Sequence, residues 1–294
     1  MSINVLQNQT TVTNPLHNPA VQAPVNPNKA LWEKGDFTKL AVTMRKSGVE
    51  LVNRIGVKRG ERVLELGCGD GTTAIPAARL GAEVTGVDIA DNLVAAANLR
   101  AQQEGLTNCR VQQGDACDLV DIDDQSFDRV VSIFGAMFAP KPDDVAKEMV
   151  RATRPGGTIT MGNWIPGDPT LIGQILTICA RYTPPPPAGF VSPMTWGVES
   201  TVTARFVAAG IAADKISYLR ESFVFDFNGT SDEFLAIFRD YYGPTMNAFA
   251  AAKANNKADE LEAELKALFE RENTSLDKNR TVIPATFLRV TVKV

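Results

Sequence analysis

The stretch VLELGCGDGTT, Val63 to Thr73, places three glycines, Gly67, Gly69 and Gly71, directly after an apolar run. An apolar run, a glycine-rich turn and then a helical pattern form a nucleotide-binding arrangement. The glycines let the backbone pass close to a ligand, and the start of the helix offers free N–H groups. A dinucleotide fingerprint, GxGxxG, requires glycine at position 72 if it begins at Gly67. Position 72 is threonine, so the spacing is GxGxG.

Outward from this loop, short apolar runs alternate with helical patterns. RVLELG, EVTGVDI, CRVQQGD, FDRVVSIF and GGTITMGNW read as strands; helices are expected over 72–80, 91–104 and about 142–152. Such alternation predicts a doubly wound, mostly parallel α/β sheet with helices on both faces. Upstream, Leu40, Met44, Leu51 and Ile55 recur at helical spacing and predict an amphipathic helix over about 38–55. Residues 1–27 are polar and aperiodic, and read as a flexible arm. Downstream, helices are expected near 169–182 and 197–209, with PPPP, Pro184 to Pro187, as a stiff linker between them. Strand patterns near 215–227 and in TVIPATFLRVTVKV flank a segment, 230–272, that reads as wholly helical. The organisation expected is an arm over 1–27, a helical cap over 28–56, and a main domain over 57–294. A helical lid over about 230–275 is inserted before the last strand.

Bulk properties narrow the function. The chain has 294 residues, 44% hydrophobic and 22% charged, with a net charge of −4, which argues against a large basic surface for nucleic acid or anionic lipid. Its four cysteines, Cys68, Cys109, Cys117 and Cys179, make no metal spacing and read as reduced thiols of a cytoplasmic protein, so no metal is expected. There is a single histidine, His17, in the polar tail.

The flanking residues sharpen the ligand. Glu65 lies inside the first strand, two residues before Gly67. Asp88 ends the second strand roughly 20 residues on, where an acid takes ribose hydroxyls. GDA, Gly114 to Ala116, ends the third strand. Together VLELGCGDG, VTGVDIA, QQGDA, FDRVVSIFGAMFAP and RATRPGGTI, in this order over about 60–165, resemble the class I S-adenosylmethionine-dependent methyltransferases. LWEKGDF, SIFGAMFAP and PPPP are also similar to a bacterial subgroup acting on small molecules.

The resemblance implies a seven-stranded Rossmann-like sheet and S-adenosyl-L-methionine as cofactor, with S-adenosyl-L-homocysteine as product. It places Gly67, Cys68, Gly69 and Gly71 under the methionine and ribose part, and Glu65 at the loop or the methionyl ammonium. Asp88 falls at the ribose hydroxyls, Ile89 against adenine, and Asp115 and Ala116 at the adenine edge. Ser132, Ile133 and Phe134 border the methyl donor, and Trp32 to Phe37 fold over the cofactor. The place where base-methylating enzymes often carry a (D/N)PPY motif here reads SIFG, so the expected partner is a small-molecule acceptor rather than nucleic acid or a membrane. The chain is expected to act as a monomer or homodimer.

Met137, Phe138, Trp164, Trp196, Tyr241 and Tyr242, with Phe190, form the expected apolar acceptor pocket. Methyl transfer from a sulfonium is an in-line displacement that needs alignment and dryness more than a base. With no histidine near the motifs, the acceptor is an amine, an activated carbon or an acidic oxygen, or else a carboxylate or tyrosine serves as base. Asp36, Asp168, Asp240, Tyr241 and Tyr242 are the candidates. Tyr241 and Tyr242 are expected at a helix break set by Gly243 and Pro244. Two other readings stay open. One is an NAD-dependent dehydrogenase on a similar sheet, disfavoured by Thr72; the other is a non-catalytic S-adenosylmethionine-binding module.

Overall fold

A computed structural model describes residues 27–294, with side chains from Lys29 onward. Of the arm read over 1–27, all but Pro27 lies outside the described residues, and His17 lies there too.

The chain opens with α1 (Pro27–Lys34), α2 (Thr38–Ala41) and α3 (Arg45–Ile55), followed by β1 (Arg62–Leu66) and α4 (Ala74–Arg79). Then come β2 (Glu83–Asp88), α5 (Asp91–Gln103), β3 (Cys109–Gln113), β4 (Phe127–Ile133), α6 (Pro142–Ala152) and β5 (Thr153–Trp164). After α7 (Leu171–Ala180), α8 (Glu199–Ala208) and β6 (Ile216–Phe227), three helices intervene: α9 (Ser231–Tyr241), α10 (Gly243–Ala254) and α11 (Ala258–Glu272). The last strand is β7 (Thr281–Lys293).

The seven strands form one sheet in the order β3-β2-β1-β4-β5-β7-β6. The first five pair in parallel, and β7 runs antiparallel to both β5 and β6. The strand order reverses between β1 and β4. In open α/β sheets that switch point, at the carboxyl ends of the strands, is where a ligand-sized crevice opens. After its first residue β1 is buried throughout, which is why Val63, Leu64 and Leu66 read as an apolar run, with the buried Glu65 among them, rather than as an alternation.

The expected helix over 38–55 is two helices joined by a 3₁₀ turn, Val42–Met44; Gly56, at φ 70°, ends α3 in the left-handed conformation. The segment 230–272 is likewise not wholly helical. It breaks once at Tyr242–Gly243, as Gly243 and Pro244 require, and again over Asn255–Lys257, which no proline or glycine marks. A capping box starts α9: the Glu233 amide donates to Thr230 Oγ1 at 3.2 Å, and the Thr230 amide donates to Glu233 Oε2 at 2.8 Å. The helices between β6 and β7 are held to the sheet by aromatic packing. Phe225 of β6 meets Phe234 and Phe238 of α9, and both of those meet Phe269 of α11, with centroids 5.2–6.2 Å apart. All four rings are fully buried, and such burial contributes about 1.5–3 kcal/mol each.

Candidate active site

The glycine loop crosses the turn after β4 in direct backbone contact. Gly67, Gly69 and Gly71 all have positive φ, at 64°, 55° and 84°, a conformation open mainly to glycine. A Cβ on Gly67 would lie 2.6 Å from Gly135 Cα, and one on Gly135 would lie 2.2 Å from the Gly67 carbonyl oxygen. Ser132 pins the crossing. Its hydroxyl donates to the Leu66 carbonyl at 2.8 Å and accepts from the Ala136 amide at 2.9 Å.

Carboxylates order the rest of the loop. Asp88 Oδ2 accepts from the Gly69 amide at 2.8 Å, and Oδ1 from the Ala90 amide at 3.0 Å. Burial raises the Asp88 pKa against the pull of these donors. Asp70 is buried between two guanidiniums, Arg45 at 2.8 Å from α3 and Arg100 at 3.1 Å from α5. Glu65 is buried and accepts from the Thr73 hydroxyl. Burial pushes it up to about 8, with Asp88 and Asp70 adding repulsion.

A carboxyl raised from 4.5 to about 8 by folding lets the folded state hold a proton that the unfolded state releases. Its stabilising contribution is complete below about pH 4.5 and disappears as pH rises through about 8. Melting of the ligand-free protein between pH 5 and 8.5 is therefore expected to show a fall in stability that Glu65→Gln lessens. An identical pH profile for the variant refutes this.

These elements enclose a cavity of about 960 Å³, open mouth included, at the switch point. Of the cofactor residues expected from sequence, Glu65, Gly67, Cys68, Gly69, Asp88 and Ile89 line it, as do Asp115 and Ala116. So do Ile133 and Phe134 after β4, and Trp32 and Phe37 from the α1–α2 region. Phe138, expected in the acceptor pocket, lines the same cavity. Trp32 stands edge-on to Phe37 and Phe138, with centroids 5.7 and 5.2 Å apart. Phe134, in the left-handed region at φ 62°, stacks on Trp164 at 3.8 Å.

Other expectations are corrected. Gly71 and Ser132 do not line the cavity: a Cβ on Gly71 would meet Ile75 at 2.9 Å, so its glycine serves helix packing, and Ser132 is occupied by the loop crossing. Cys68 lines the cavity, yet its sulfur fills the notch above Gly86, and burial raises its thiol pKa. Met137, Trp164 and Trp196 are buried outside the lining; Trp164 backs Phe134, and Trp196 carries the Arg205 guanidinium 4.6 Å above its ring. Phe190 is solvent-exposed. Asp36 accepts from the Thr38 amide at 3.2 Å and Asp168 from the Thr170 amide at 2.9 Å, each in a local turn. Asp240 pairs with Arg239 at 2.9 Å. None of the three acids lines the cavity.

Tyr241 and Tyr242 do sit at the α9–α10 break, but neither lines the cavity. Tyr241 is half-buried; Tyr242 is buried behind Trp32, ring centroids 6.4 Å apart, and its hydroxyl has no hydrogen-bond partner. Leaving such a group unsatisfied costs about 1–3 kcal/mol. Tyr242→Phe is thus expected to raise stability by about 1 kcal/mol in urea denaturation; a less stable variant would show that the hydroxyl is bonded.

Sequence patterns miss several lining residues. Asp70, Thr72 and Thr73 lie within the quoted loop and carry that signal. Met44, Leu93 and Phe223 carry none, because the placing of the 3₁₀ turn and of α5 and the register of β6 bring them to the cavity.

Known proteins fit this geometry. A methyltransferase-domain family model matches residues 64–161, from β1 to β5. The chain is 34% identical to an uncharacterized protein of Mycobacterium tuberculosis over 233 residues, 78% of this chain and 81% of the relative. It is 32% identical to phosphatidylethanolamine N-methyltransferase of Cereibacter sphaeroides over 154 residues, 51% of this chain and 73% of that enzyme. This chain belongs to the class I S-adenosylmethionine-dependent methyltransferases. In fold, the methyltransferase is similar to Haemonchus contortus phosphoethanolamine N-methyltransferase 2 in complex with S-adenosyl-L-methionine. The TM-score is 0.57 at 19% identity, covering 94% of this chain and 61% of that one. The dehydrogenase alternative falls with this assignment. Among the described residues no helix is long and apolar enough to cross a membrane, and no cluster of His, Cys, Asp and Glu is suited to a metal.

The lining suits S-adenosylmethionine, whose sulfonium and ammonium are cationic. The acids Glu65, Asp70, Asp88 and Asp115 line the cavity, and no Lys, Arg or His does among the described residues.

Proposed function

We propose that the methyltransferase moves the methyl group of S-adenosylmethionine to a small, largely apolar acceptor. One observation carries this reading. The side chains lining the cavity from the helical cap and from β4 onward, such as Trp32, Phe37, Met44, Phe134, Phe138 and Phe223, are all apolar or aromatic; every ionisable lining group lies at the ends of β1, β2 and β3.

The cavity thus divides in two. Glu65, Gly67, Gly69, Asp88, Ile89, Asp115 and Ala116 hold the cofactor, with Asp88 fixing the Gly69 amide and keeping lone pairs for ribose hydroxyls. The second half takes the acceptor. The cofactor supplies an already activated methyl group. The chain's own contribution is alignment, worth up to roughly 7–11 kcal/mol when reacting atoms are preset, together with exclusion of water. The helices between β6 and β7 act as the lid that backs Trp32.

Incubation with methyl-labelled cofactor and a panel of amines, alkenes, phenols and carboxylic acids tests the reading. Label is expected in a product extractable into organic solvent. Label found only in nucleic acid or protein would overturn it. Asp88→Ala is expected to weaken S-adenosylhomocysteine binding in calorimetry by about 1.5–3 kcal/mol.

A further inference from the structure

We propose that Trp32, Phe37 and Phe138 form an aromatic wall that stabilises positive charge on the acceptor, so that the acceptor reacts as a neutral nitrogen or π-carbon nucleophile and not as an anion. This rests on the methyl-transfer reading above and specifies its substrate class.

Charge conservation leads there. In the displacement, an electron pair of the acceptor forms the new bond to the methyl carbon, and the sulfur–carbon bond breaks with its pair left on sulfur. The positive charge leaves sulfur. With an anionic acceptor it is cancelled; with a neutral one it reappears on the acceptor. An anion needs a cation or several donors when buried, yet the lining side chains of the acceptor half carry no basic group among the described residues, and their one hydrogen-bond donor is the Trp32 indole N–H. This half presents ring faces and edges instead. Trp32, Phe37, Phe134, Phe138 and Phe223 all line the cavity.

A ring face attracts a cation within about 6 Å of its centroid, most strongly for Trp and most strongly when dry. Trp32 is held for that task. Phe37 stands at 90° to it and Phe138 at 69°, and the Tyr242 ring backs it. No lining carboxylate stands in the acceptor half to compete for the charge or to take a proton before transfer. A neutral amine needs none, since its proton can leave as the ammonium after the new bond exists. A π-carbon acceptor becomes a carbocation when the methyl group adds, and that cation then loses a C–H proton to water.

The test uses the full chain saturated with S-adenosylhomocysteine, whose sulfur is uncharged. Benzyltrimethylammonium and its uncharged isostere neopentylbenzene are titrated in by calorimetry or competition. The wild type is expected to bind the cation. Trp32→Leu is expected to weaken cation binding at least about tenfold, while changing the isostere by no more than about twofold. Trp32→Phe, which keeps a ring face, falls between. Where Trp32→Leu no longer binds S-adenosylhomocysteine, Phe138→Leu is read by the same criterion. Equal losses for both probes, unchanged binding of both, or no cation binding by the wild type would overturn the proposal. Failure of the wild type to bind S-adenosylhomocysteine would overturn the methyl-transfer reading itself, and this proposal with it.

Discussion

Gly135→Ala is expected to abolish measurable S-adenosylhomocysteine binding and to destabilise the fold by about 3 kcal/mol, the upper part of the range for overpacking. The cause is steric. Gly135 has φ −85° and ψ −67°, a right-handed helical conformation that alanine adopts without strain. Alanine's Cβ, however, would fall 2.2 Å from the Gly67 carbonyl oxygen and 2.6 Å from Gly67 Cα. These are backbone atoms, which cannot rotate aside as a side-chain tip does. Relief requires the loops after β1 and β4 to separate, and that moves Gly67 and strains the Ser132 bonds to Leu66 and Ala136. A displacement near 1 Å in such a site costs about 10²-fold in rate. Gly60→Ala is the control. Gly60 has φ 79° with open space around the added carbon, so alanine there carries about 1–2 kcal/mol of left-handed strain and should leave affinity intact. Wild-type affinity in Gly135→Ala would show that the loop crossing does not support the cofactor half.

The two strands that meet at this crossing are also the ones most legible in the amino-acid sequence. Strands largely buried on both faces show as short apolar runs, Val63–Leu64 in β1, Val84 and Val87 in β2 and Val130–Val131 in β4, which makes them readable, and the GxGxG spacing marks the loop after β1. Asp88 is legible because it ends β2 beside the glycine loop, whose Gly69 amide it holds. Tertiary placement is not legible. Trp164 and Trp196 look as suitable for a pocket wall as Trp32 does. Only the stacking of Trp164 behind Phe134, and of Arg205 on Trp196, assigns them to the core. Phe223 reaches the cavity because β6 pairs with β7 in a register that sets it opposite Ala285, and no local pattern encodes a register. Asp36 and Asp168 stand out in the sequence as motif-free acids, and both are spent on turn amides, a common use of aspartate beside a helix start. The helix expected over 38–55 is interrupted at Val42–Met44 by a 3₁₀ turn that no glycine or proline marks.

Asp70→Ala is expected to cost about 3 kcal/mol in urea denaturation, the low end for removing one partner of a buried ion pair. Asp70, in the middle of GCGDG, is only 1% exposed, and it is the meeting point of three elements. Arg45 reaches it from α3 and Arg100 from α5, and the Arg100 guanidinium also donates to the Asp70 carbonyl at 2.5 Å. Thr72 Oγ1 donates to its carboxylate at 3.1 Å. Removing the carboxylate leaves two cations facing one another across the loop. Arg45 is 40% exposed and can turn its charge into water, which keeps the loss near the low end; Arg100, at 15%, cannot do so as easily. The asymmetry makes an internal check. Arg45→Ala should cost no more than about 1 kcal/mol, the value of an exposed pair, since Arg100 still neutralises Asp70. Asp70→Asn should fall between, because its amide oxygen accepts from one guanidinium while its NH₂ faces the other. The cofactor loop should loosen in step, so S-adenosylhomocysteine affinity is expected to decrease from Arg45→Ala to Asp70→Asn to Asp70→Ala. If Asp70→Ala loses less than about 1 kcal/mol, the two arginines do not tie α3 and α5 to the loop, and the rigidity of the cofactor half must come from Asp88 and the Gly67–Gly135 crossing alone.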